Sequence, residues 1–156
     1  MEISELLAER DIALDVRAKD KLSVLSQIAT RLADRTDLDE RSIREGFFAR
    51  ENINSTAVGS GVAIPHALMD HLPHPTGLLM RLLQPVEFGA TDNIPVDLLF
   101  AILWPQSNAV DFLPMLARVS RFLRTDIVRD MLRQARSPAD VFGVIWFKQK
   151  ELDEYQ

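Results

Sequence analysis

All three histidines of the chain lie within nine residues, at positions 66, 71 and 74. The first, His66, ends an apolar run over residues 59–66, with the sequence GSGVAIPH. Pro65 fixes its own φ at about −65°, and it holds the residue before it in an extended conformation. We therefore expect His66 to leave the end of a strand in a defined direction. Imidazole is the side chain most easily tuned near neutral pH, so this arrangement suggests histidine chemistry.

The surroundings of the histidines limit what that chemistry can be. Their spacings of five and three residues do not match a helix face, because prolines interrupt the segment, and the chain has no cysteine. A metal site is therefore disfavoured, and His71 and His74 are expected in a solvated loop. For His66, two interpretations stay open on the residues alone: a reactive imidazole, or a core histidine satisfied by hydrogen bonds.

Other catalytic motifs are incomplete. The Gly59-Ser60-Gly61 segment lacks the third glycine of a dinucleotide fingerprint and the Gly-Lys-Ser/Thr of a P-loop, so we predict a turn or bulge in a hairpin. A serine hydrolase would need a Gly-x-Ser-x-Gly elbow, which the sequence does not contain. Ser55 and Thr56 are better interpreted as turn residues or as donors to an oxyanion than as nucleophiles.

Composition narrows the class of protein. The chain has 156 residues, 47% hydrophobic and 26% charged, which suits one domain with a full core. A net charge of −5 without a basic patch argues against nucleic acid as a partner. The absence of cysteine excludes disulfides and thiolate chemistry. No targeting segment is visible, and the apolar run over residues 96–105 is about half a membrane span, so we expect a cytoplasmic protein without membrane insertion.

The first third of the chain predicts a strand followed by two helices. Residues 12–16 form the strand, and Asp20 caps a helix that runs to about residue 33. The apolar positions of this helix are Leu22, Leu25, Ile28, Ala29 and Leu32. A second helix begins after Asp39 and ends near Asn52. Ile43 and Phe47 point inward, and Arg50 lies one turn beyond Phe47.

Strands are predicted in the middle of the chain, and helices in its last third. The strands cover residues 56–65, 77–84 and 96–104. Asp111, Thr125 and Ser137 each precede a helical pattern and are expected to cap it. The first of these helices places Phe112, Leu116, Val119 and Leu123 on one face. We expect a single α/β domain over residues 1–147 and a charged, frayed tail over residues 148–156.

Residues 50–66, RENINSTAVGSGVAIPH, resemble the signature of the fructose/mannitol-type enzyme IIA domains of the bacterial phosphotransferase system. In that family Arg-Glu, then Ser-Thr, then Gly-x-Gly-x-Ala-Ile-Pro-His lead to a phosphorylated histidine. Residues 92–100, DNIPVDLLF, resemble a later block of the same family. The similarity runs from the first helix to about Phe147. The absence of fused domains favours the free-standing, nitrogen-regulatory branch.

The resemblance implies a fold and a function. The fold is a three-layer α/β sandwich, with a mixed central β-sheet flanked by helices. His66 accepts a phosphoryl group on Nε2 from an HPr-type phosphocarrier protein, without a metal or cofactor. It then passes the group to an enzyme IIB, or signals to regulatory targets such as transporters and sensor kinases in nitrogen, carbon or ion homeostasis. Arg50, Ser55 and Thr56 are expected to donate hydrogen bonds to the phosphoryl oxygens.

The chain departs from the family pattern at two positions. Ala57 stands where the family commonly has glycine, and we expect the alanine to stiffen the loop. Phe112 stands where family members carry a second histidine, so an apolar ring replaces the usual helper of the phosphorylated histidine. This replacement motivates a second hypothesis: a regulatory binding module that keeps the enzyme IIA fold without transferring phosphate.

Overall fold

The computed structural model describes residues 1–154, in which the chain forms six strands and five α-helices. The strands are β1 (Ile12–Val16), β2 (Ala57–Gly59), β3 (Val62–Ala63), β4 (His66–Met69), β5 (Thr76–Val86) and β6 (Val96–Pro105). The helices are α1 (Lys21–Arg35), α2 (Glu40–Ile53), α3 (Phe112–Leu123), α4 (Asp126–Gln134) and α5 (Pro138–Glu154). Short 3₁₀ turns occupy Ile3–Leu6, Glu9–Asp11 and Gln106–Asp111. Over these described residues, every helix is too short or too polar to cross a bilayer.

The sheet is mixed and is built around β6. Its order is β1-β5-β6-β3-β2, and β4 also pairs with β6, beyond the end of β3. β5 is antiparallel to β6, whereas β3 and β4 run parallel to it. Alternate side chains of β6 point to opposite faces of the sheet. The two faces form two separate clusters of buried residues, and the predicted α/β sandwich is confirmed.

The two clusters divide the helices between the two faces. Phe100 and Ile102 pack on the face that carries α3, α4 and α5. Leu99 and Ala101 pack on the other face, against α1 and α2. The alternating apolar side chains of one central strand therefore hold both helical layers in place.

The first two helices begin where the sequence predicts. The Asp20 carboxylate accepts a hydrogen bond from the Ser23 amide at 2.8 Å, and the Asp39 carboxylate accepts one from the Ser42 amide at 3.1 Å. Leu22 is the exception among the apolar positions of α1, since it is 61% exposed. It lies in the first turn of the helix, outside the stripe of residues that faces the sheet.

Two of the predicted caps in the last third of the chain are wrong. Asp111 makes no capping hydrogen bond, because the preceding 3₁₀ turn runs directly into α3 and Asp111 already has helical φ and ψ. Thr125 precedes α4, but its hydroxyl donates to the Arg121 carbonyl at 3.0 Å, at the end of α3. Ser137 does cap α5, accepting from the Asp140 amide at 3.1 Å.

The single strand predicted over residues 56–65 is also wrong. Gly59, Ser60 and Gly61 all have positive φ and fold the chain into a β2–β3 hairpin. Pro65, which has no N–H to donate, then interrupts the ladder between β3 and β4. His66 therefore begins a strand instead of leaving the end of one.

The predicted tail from residue 148 does not fray within the described residues. α5 continues to Glu154, and Gln149 is buried. Its side-chain carbonyl accepts from the Ser4 amide at 2.9 Å, and its amide donates to the Ser4 hydroxyl at 2.7 Å. This pair joins the two ends of the chain. Residues 155 and 156 lie outside the described residues, and the bounds of a single domain stay a prediction.

Candidate active site

The pairing of β4 with β6 positions the backbone of His66. His66 lies opposite Ile102 in this parallel pairing, and the Pro65 carbonyl accepts from the Ile102 amide at 2.9 Å. The His66 side chain lies at the boundary between the sheet and the helices, and the residue is 9% exposed. One edge of its ring remains accessible from a surface cleft.

The two ring nitrogens of His66 have different partners. Nδ1 lies 2.8 Å from the Ile64 carbonyl oxygen. Because a carbonyl can only accept, Nδ1 carries the proton of the neutral ring, and Nε2 carries the lone pair. The Arg50 Nε–H donates to that lone pair at 3.1 Å. Nε2 is thus the ring nitrogen with the lone pair, the atom at which the resemblance implies phosphorylation, and it lies beside a guanidinium.

The environment lowers the pKa of His66 below its ordinary value of 6.5. Burial is the largest cause, because it disfavours the charged imidazolium, and the positive charge of Arg50 acts in the same direction. The hydrogen bond to the Ile64 carbonyl and the charge of Glu51 oppose the shift. The lowered pKa favours the neutral ring, the form that leaves a lone pair on Nε2.

Helix α2 brings Arg50 to the ring through a close approach to β4. A Cβ atom on Gly46 would lie 3.2 Å from the Met69 sulfur and 3.3 Å from the Ala67 Cβ, so glycine lets the helix sit unusually near the strand. Arg50 follows four residues later, on the same face of the helix. Its Nη1 donates to the Asn54 carbonyl at 2.9 Å, at the end of α2.

The structure brings Ser55 and Thr56 to the same cleft as His66 and Arg50, but their hydroxyls already have acceptors. The cleft measures about 350 Å³, and all four residues line it. The Ser55 hydroxyl donates to the Phe88 carbonyl at 2.6 Å. The Thr56 hydroxyl donates to the Glu51 carboxylate. Either hydroxyl must leave its present acceptor before it can donate to a phosphoryl oxygen.

Glu51 is a part of the site to which sequence reasoning assigned no role. Its side chain is 5% exposed and forms an ion pair with Lys21 at 2.7 Å. The carboxylate also accepts from the Thr56 amide at 3.2 Å. The sequence offers one sign of this role, an acidic residue next to Arg50. The ion pair itself is not visible in the sequence, because Lys21, the partner of Glu51, lies on α1.

An aromatic group covers the other side of the His66 ring. The Phe112 ring lies 5.2 Å from it between centroids, tilted by 46°, and Trp104 lies 5.7 Å beyond Phe112. Phe112 is 5% exposed. The side chain that departs from the family pattern is therefore in direct contact with the candidate nucleophile.

Exposed apolar side chains surround the site. A second opening, of about 560 Å³, lies over His66 and Phe112 and is lined by Ile53, Leu68 and Leu113. Ile53 is 77% exposed and Leu113 69% exposed. A ring of exposed apolar side chains around a buried polar group is typical of a surface that contacts another protein.

The hairpin before His66 is anchored by the second sequence block, residues 92–100. The Asp92 carboxylate accepts from the Ser60 amide at 2.8 Å, and this hydrogen bond is the largest cause that lowers the pKa of Asp92. Arg133 donates to the Ser60 carbonyl at 2.6 Å and to Asp97 at 2.8 Å. The turn predicted at residues 59–61 is confirmed. The two sequence blocks, residues 50–66 and 92–100, are therefore close in space, because Asp92 of the second block binds the β2–β3 turn of the first.

His71 and His74 are exposed, in the loop between β4 and β5. Their solvated loop position is confirmed, and neither residue lines the cleft around His66. The structure therefore separates the three histidines that the sequence places together.

The chain is similar to known proteins of one family. The sequence model of the family "Phosphoenolpyruvate-dependent sugar phosphotransferase system, EIIA 2" matches residues 5–146. A nitrogen regulatory protein of Bradyrhizobium diazoefficiens is 36% identical over 145 residues, which cover 93% of this chain and 95% of that protein. A nitrogen regulatory protein of Pseudomonas aeruginosa is 33% identical over 144 residues, covering 92% and 94%.

Solved structures show the same fold. The crystal structure of nitrogen regulatory protein IIA-Ntr from Neisseria meningitidis superposes with a TM-score of 0.88 at 30% identity, covering 92% of this chain and 98% of that one. IIA mannitol from Escherichia coli superposes with a TM-score of 0.75 at 17% identity, covering 89% and 98%.

The chain belongs to the enzyme IIA type 2 family of the phosphoenolpyruvate-dependent sugar phosphotransferase system. Within that family its relatives include free-standing nitrogen regulatory proteins, so the resemblance drawn from residues 50–66 and 92–100 is confirmed.

Proposed function

We propose that the protein is a phosphocarrier. It accepts a phosphoryl group on Nε2 of His66 from an HPr-type phosphocarrier protein, and it passes the group on or uses it as a regulatory signal. The observation that carries the proposal is the pair of hydrogen bonds on the His66 ring. One fixes the proton on Nδ1, and the other places a guanidinium beside the free lone pair of Nε2.

The transfer requires Arg50 to change partners. As the Nε2 lone pair forms the new N–P bond, the N–P bond of the donor phosphohistidine breaks and its electron pair returns to the donor nitrogen. Nε2 cannot accept from Arg50 and bond to phosphorus at the same time, so the guanidinium moves from the nitrogen to the phosphoryl oxygens. Within residues 1–154 its Nη2 group makes no hydrogen bond, which leaves that group available to an oxygen.

Ser55 and Thr56 complete the proposed phosphoryl site. Their hydroxyls lie at the edge of the cleft, where each can exchange its present acceptor for a phosphoryl oxygen. We expect their contributions to be smaller than that of Arg50, because each exchange costs an existing hydrogen bond. A charged guanidinium forms stronger hydrogen bonds with phosphate than a hydroxyl does.

The partners are proteins that bring a phosphorylated side chain to the cleft, or receive one from it. The exposed apolar ring around His66 supports protein docking. A solved complex joins the enzyme IIA of the E. coli mannitol system to phosphorylated enzyme IIB, which supports an enzyme IIB as one partner here. The names of the relatives support a role in nitrogen regulation. We propose that its targets are regulatory partners such as transporters and sensor kinases. The proposal places the protein in the cytoplasm, beside its phosphoryl donor.

A second candidate function rests on Phe112. An aromatic ring covers His66 where family members carry a second histidine, so the site lacks one potential donor to the phosphoryl group. A regulatory module that keeps the fold and binds targets without turning over phosphate is compatible with that ring.

One experiment separates the two functions. The protein is incubated with enzyme I, an HPr-type carrier and phosphoenolpyruvate, and its intact mass is measured. We expect one phosphoryl group, labile to acid and stable to base, that disappears in His66→Ala. The matched controls His71→Ala and His74→Ala keep it. A phosphate that persists in His66→Ala would overturn the assignment of His66, and no phosphate on the wild type would favour the regulatory module.

A further inference from the structure

Arg50 and Glu51 are adjacent in the sequence but act on different partners. Arg50 faces His66, whereas the Glu51 carboxylate is buried and pairs with Lys21, in the first turn of α1. Lys21 thereby compensates the negative charge of Glu51, and Arg50 keeps its own charge free for a ligand. Within residues 1–154, Arg50 forms no ion pair of its own.

A continuous series of hydrogen bonds leads from Glu51 to the His66 ring. The Glu51 carboxylate accepts from both the amide and the hydroxyl of Thr56. The Thr56 carbonyl accepts from the Ile64 amide at 3.0 Å. The Ile64 carbonyl in turn accepts from Nδ1 of His66 at 2.8 Å. The carbonyl that fixes the tautomer of His66 is therefore held by a segment that Glu51 anchors.

Lys21 fixes the outer end of this series. Its ammonium donates to the Phe88 carbonyl at 3.1 Å and lies 4.6 Å from the centre of the Phe88 ring. The Ser55 hydroxyl donates to the same carbonyl. Ser55 is thus bound directly to the segment after β5, and Thr56 is linked to α1 through Glu51 and Lys21.

We propose that Glu51 is the positioning residue of the site. Resting on the proposed function, this inference adds that Glu51, acting through Thr56 and Ile64, sets the direction in which His66 presents Nε2. Lys21 keeps the Glu51 carboxylate in place and away from Arg50. A carboxylate suits this role because it accepts from two Thr56 donors and from an ammonium at once, whereas an amide turns an N–H group toward one of them.

The test compares Glu51→Gln with Glu45→Gln. Both residues lie on α2, but the Glu45 side chain is 64% exposed and, among residues 1–154, its one ion pair is with Arg41 in the same helix. We expect Glu51→Gln to lower the single-turnover transfer rate at saturating phosphorylated carrier by about tenfold or more, as loss of orientation does. The carrier concentration that gives half-maximal rate stays unchanged, because Glu51 is not among the exposed apolar side chains around His66 that are proposed to contact the carrier. Glu45→Gln behaves as wild type.

A second measurement does not need phosphate transfer. The His66 ring is titrated by NMR, which reports both its pKa and its tautomer. In the part of the chain that the structure describes, the charges acting on the ring come from Arg50 and Glu51, while α3 and β6 contribute Phe112 and Ile102. Since the Glu51 charge raises the pKa of His66, Glu51→Gln lowers it further and weakens the preference for a proton on Nδ1.

The outcomes are distinct. A slower transfer together with changed His66 ring signals supports the positioning role. A lower melting temperature with an unchanged rate and unchanged ring signals would overturn it, leaving Glu51 a stabilising residue only. If the wild type takes up no phosphate, the proposed function fails, and the ring signals still decide the role of Glu51.

Lys21→Met serves as the second variant, should Glu51→Gln fail to fold. It leaves α2 unchanged, and the Lys21 side chain is 27% exposed. We expect it to free Glu51 to approach Arg50 and so slow transfer, again without a change in half-saturating carrier. Transfer at the wild-type rate would count against the proposal.

Discussion

The cleft around His66 has two walls that differ in kind. The polar wall, formed by Arg50, Ser55 and Thr56, comes from the end of α2 and the segment that follows it, and Glu51 supports it from behind through Thr56. The apolar wall, formed by Phe112, Leu113 and Leu116, comes from the first turns of α3. Hydrogen bonds join the polar wall to residues 64–66 and to the Phe88 carbonyl, and an ion pair joins Glu51 to α1. The apolar wall contacts His66 through the packing of the Phe112 ring.

The two walls therefore affect different properties of the His66 imidazole. The polar wall fixes the tautomer of the ring and supplies a charge beside Nε2. The apolar wall buries one side of the ring, and burial is the largest cause of the lowered pKa of His66. A low local dielectric also strengthens electrostatic interactions across the cleft, so the apolar wall increases the effect of Arg50.

The strongest way to break the polar wall is Arg50→Ala. Loss of one charged donor to the phosphoryl group is expected to cost about 2–4 kcal/mol of transition-state stabilisation, by analogy with the loss of one oxyanion donor. This corresponds to transfer slowed roughly 30- to 1,000-fold. Single-turnover kinetics measure the rate, and thermal melting checks that the fold survives.

Arg44→Ala is the matched control, since Arg44 lies on the same helix, is also half-buried, and lies outside the cleft. We expect it to transfer phosphate as wild type does. Equal rates in Arg50→Ala and wild type would mean that Arg50 has a structural role only.

The apolar wall is tested by Phe112→His, which introduces the second histidine that the family resemblance implies at this position. The structure places the Phe112 ring against His66, so a new imidazole there can donate to the phosphoryl oxygens. We expect faster transfer or a longer-lived phosphorylated His66. Because Phe112 is buried against Trp104, we also expect the folded state to lose about 1–3 kcal/mol.

Phe112→Leu separates the two effects, since it removes the ring without adding a donor. It is expected to keep the wild-type transfer rate within a few-fold. Kinetics unchanged in Phe112→His would show that a second imidazole at this position contributes nothing.

The sequence predicts the parts of this arrangement that rest on local patterns. The helical period places Phe47 in the core and Arg50 one turn beyond it, and the structure has both there. The Asp20 and Asp39 caps follow from short-range hydrogen bonding. The mixed sheet follows from the family resemblance, whose two blocks meet at the β2–β3 turn.

The parts that the sequence does not predict depend on partners far apart in the chain. Lys21 and Glu51 are 30 positions apart, and nothing local in the sequence indicates that they pair. Ser4 and Gln149 are 145 positions apart. Their hydrogen bonds hold residues of the predicted tail within α5. Neither pair leaves a periodic pattern in the sequence, because its two members belong to elements that are far apart in the chain.

The smallest expected effect is the contribution of His66 to the pH dependence of stability. Both walls contribute to it, because burial and the charge of Arg50 each lower the pKa of His66. Burial lowers the pKa of His66 in the folded state below 6.5. As the pH falls below that value, the unfolded chain binds a proton at His66 before the folded protein does. The free energy of unfolding therefore falls, by at most about 1.4 kcal/mol per pH unit for one proton, and the loss levels off below the folded-state pKa.

Denaturant unfolding of wild type and His66→Gln, measured between about pH 7.5 and pH 5, isolates this effect. The carboxylates titrate in both proteins, so the difference between the two unfolding free energies reports His66. We expect wild type to lose stability relative to His66→Gln as the pH falls through this range, and the exposed-loop variant His71→Gln to follow wild type. A constant difference would mean that water reaches the ring in spite of Phe112, and that the apolar wall does not set the protonation state of His66.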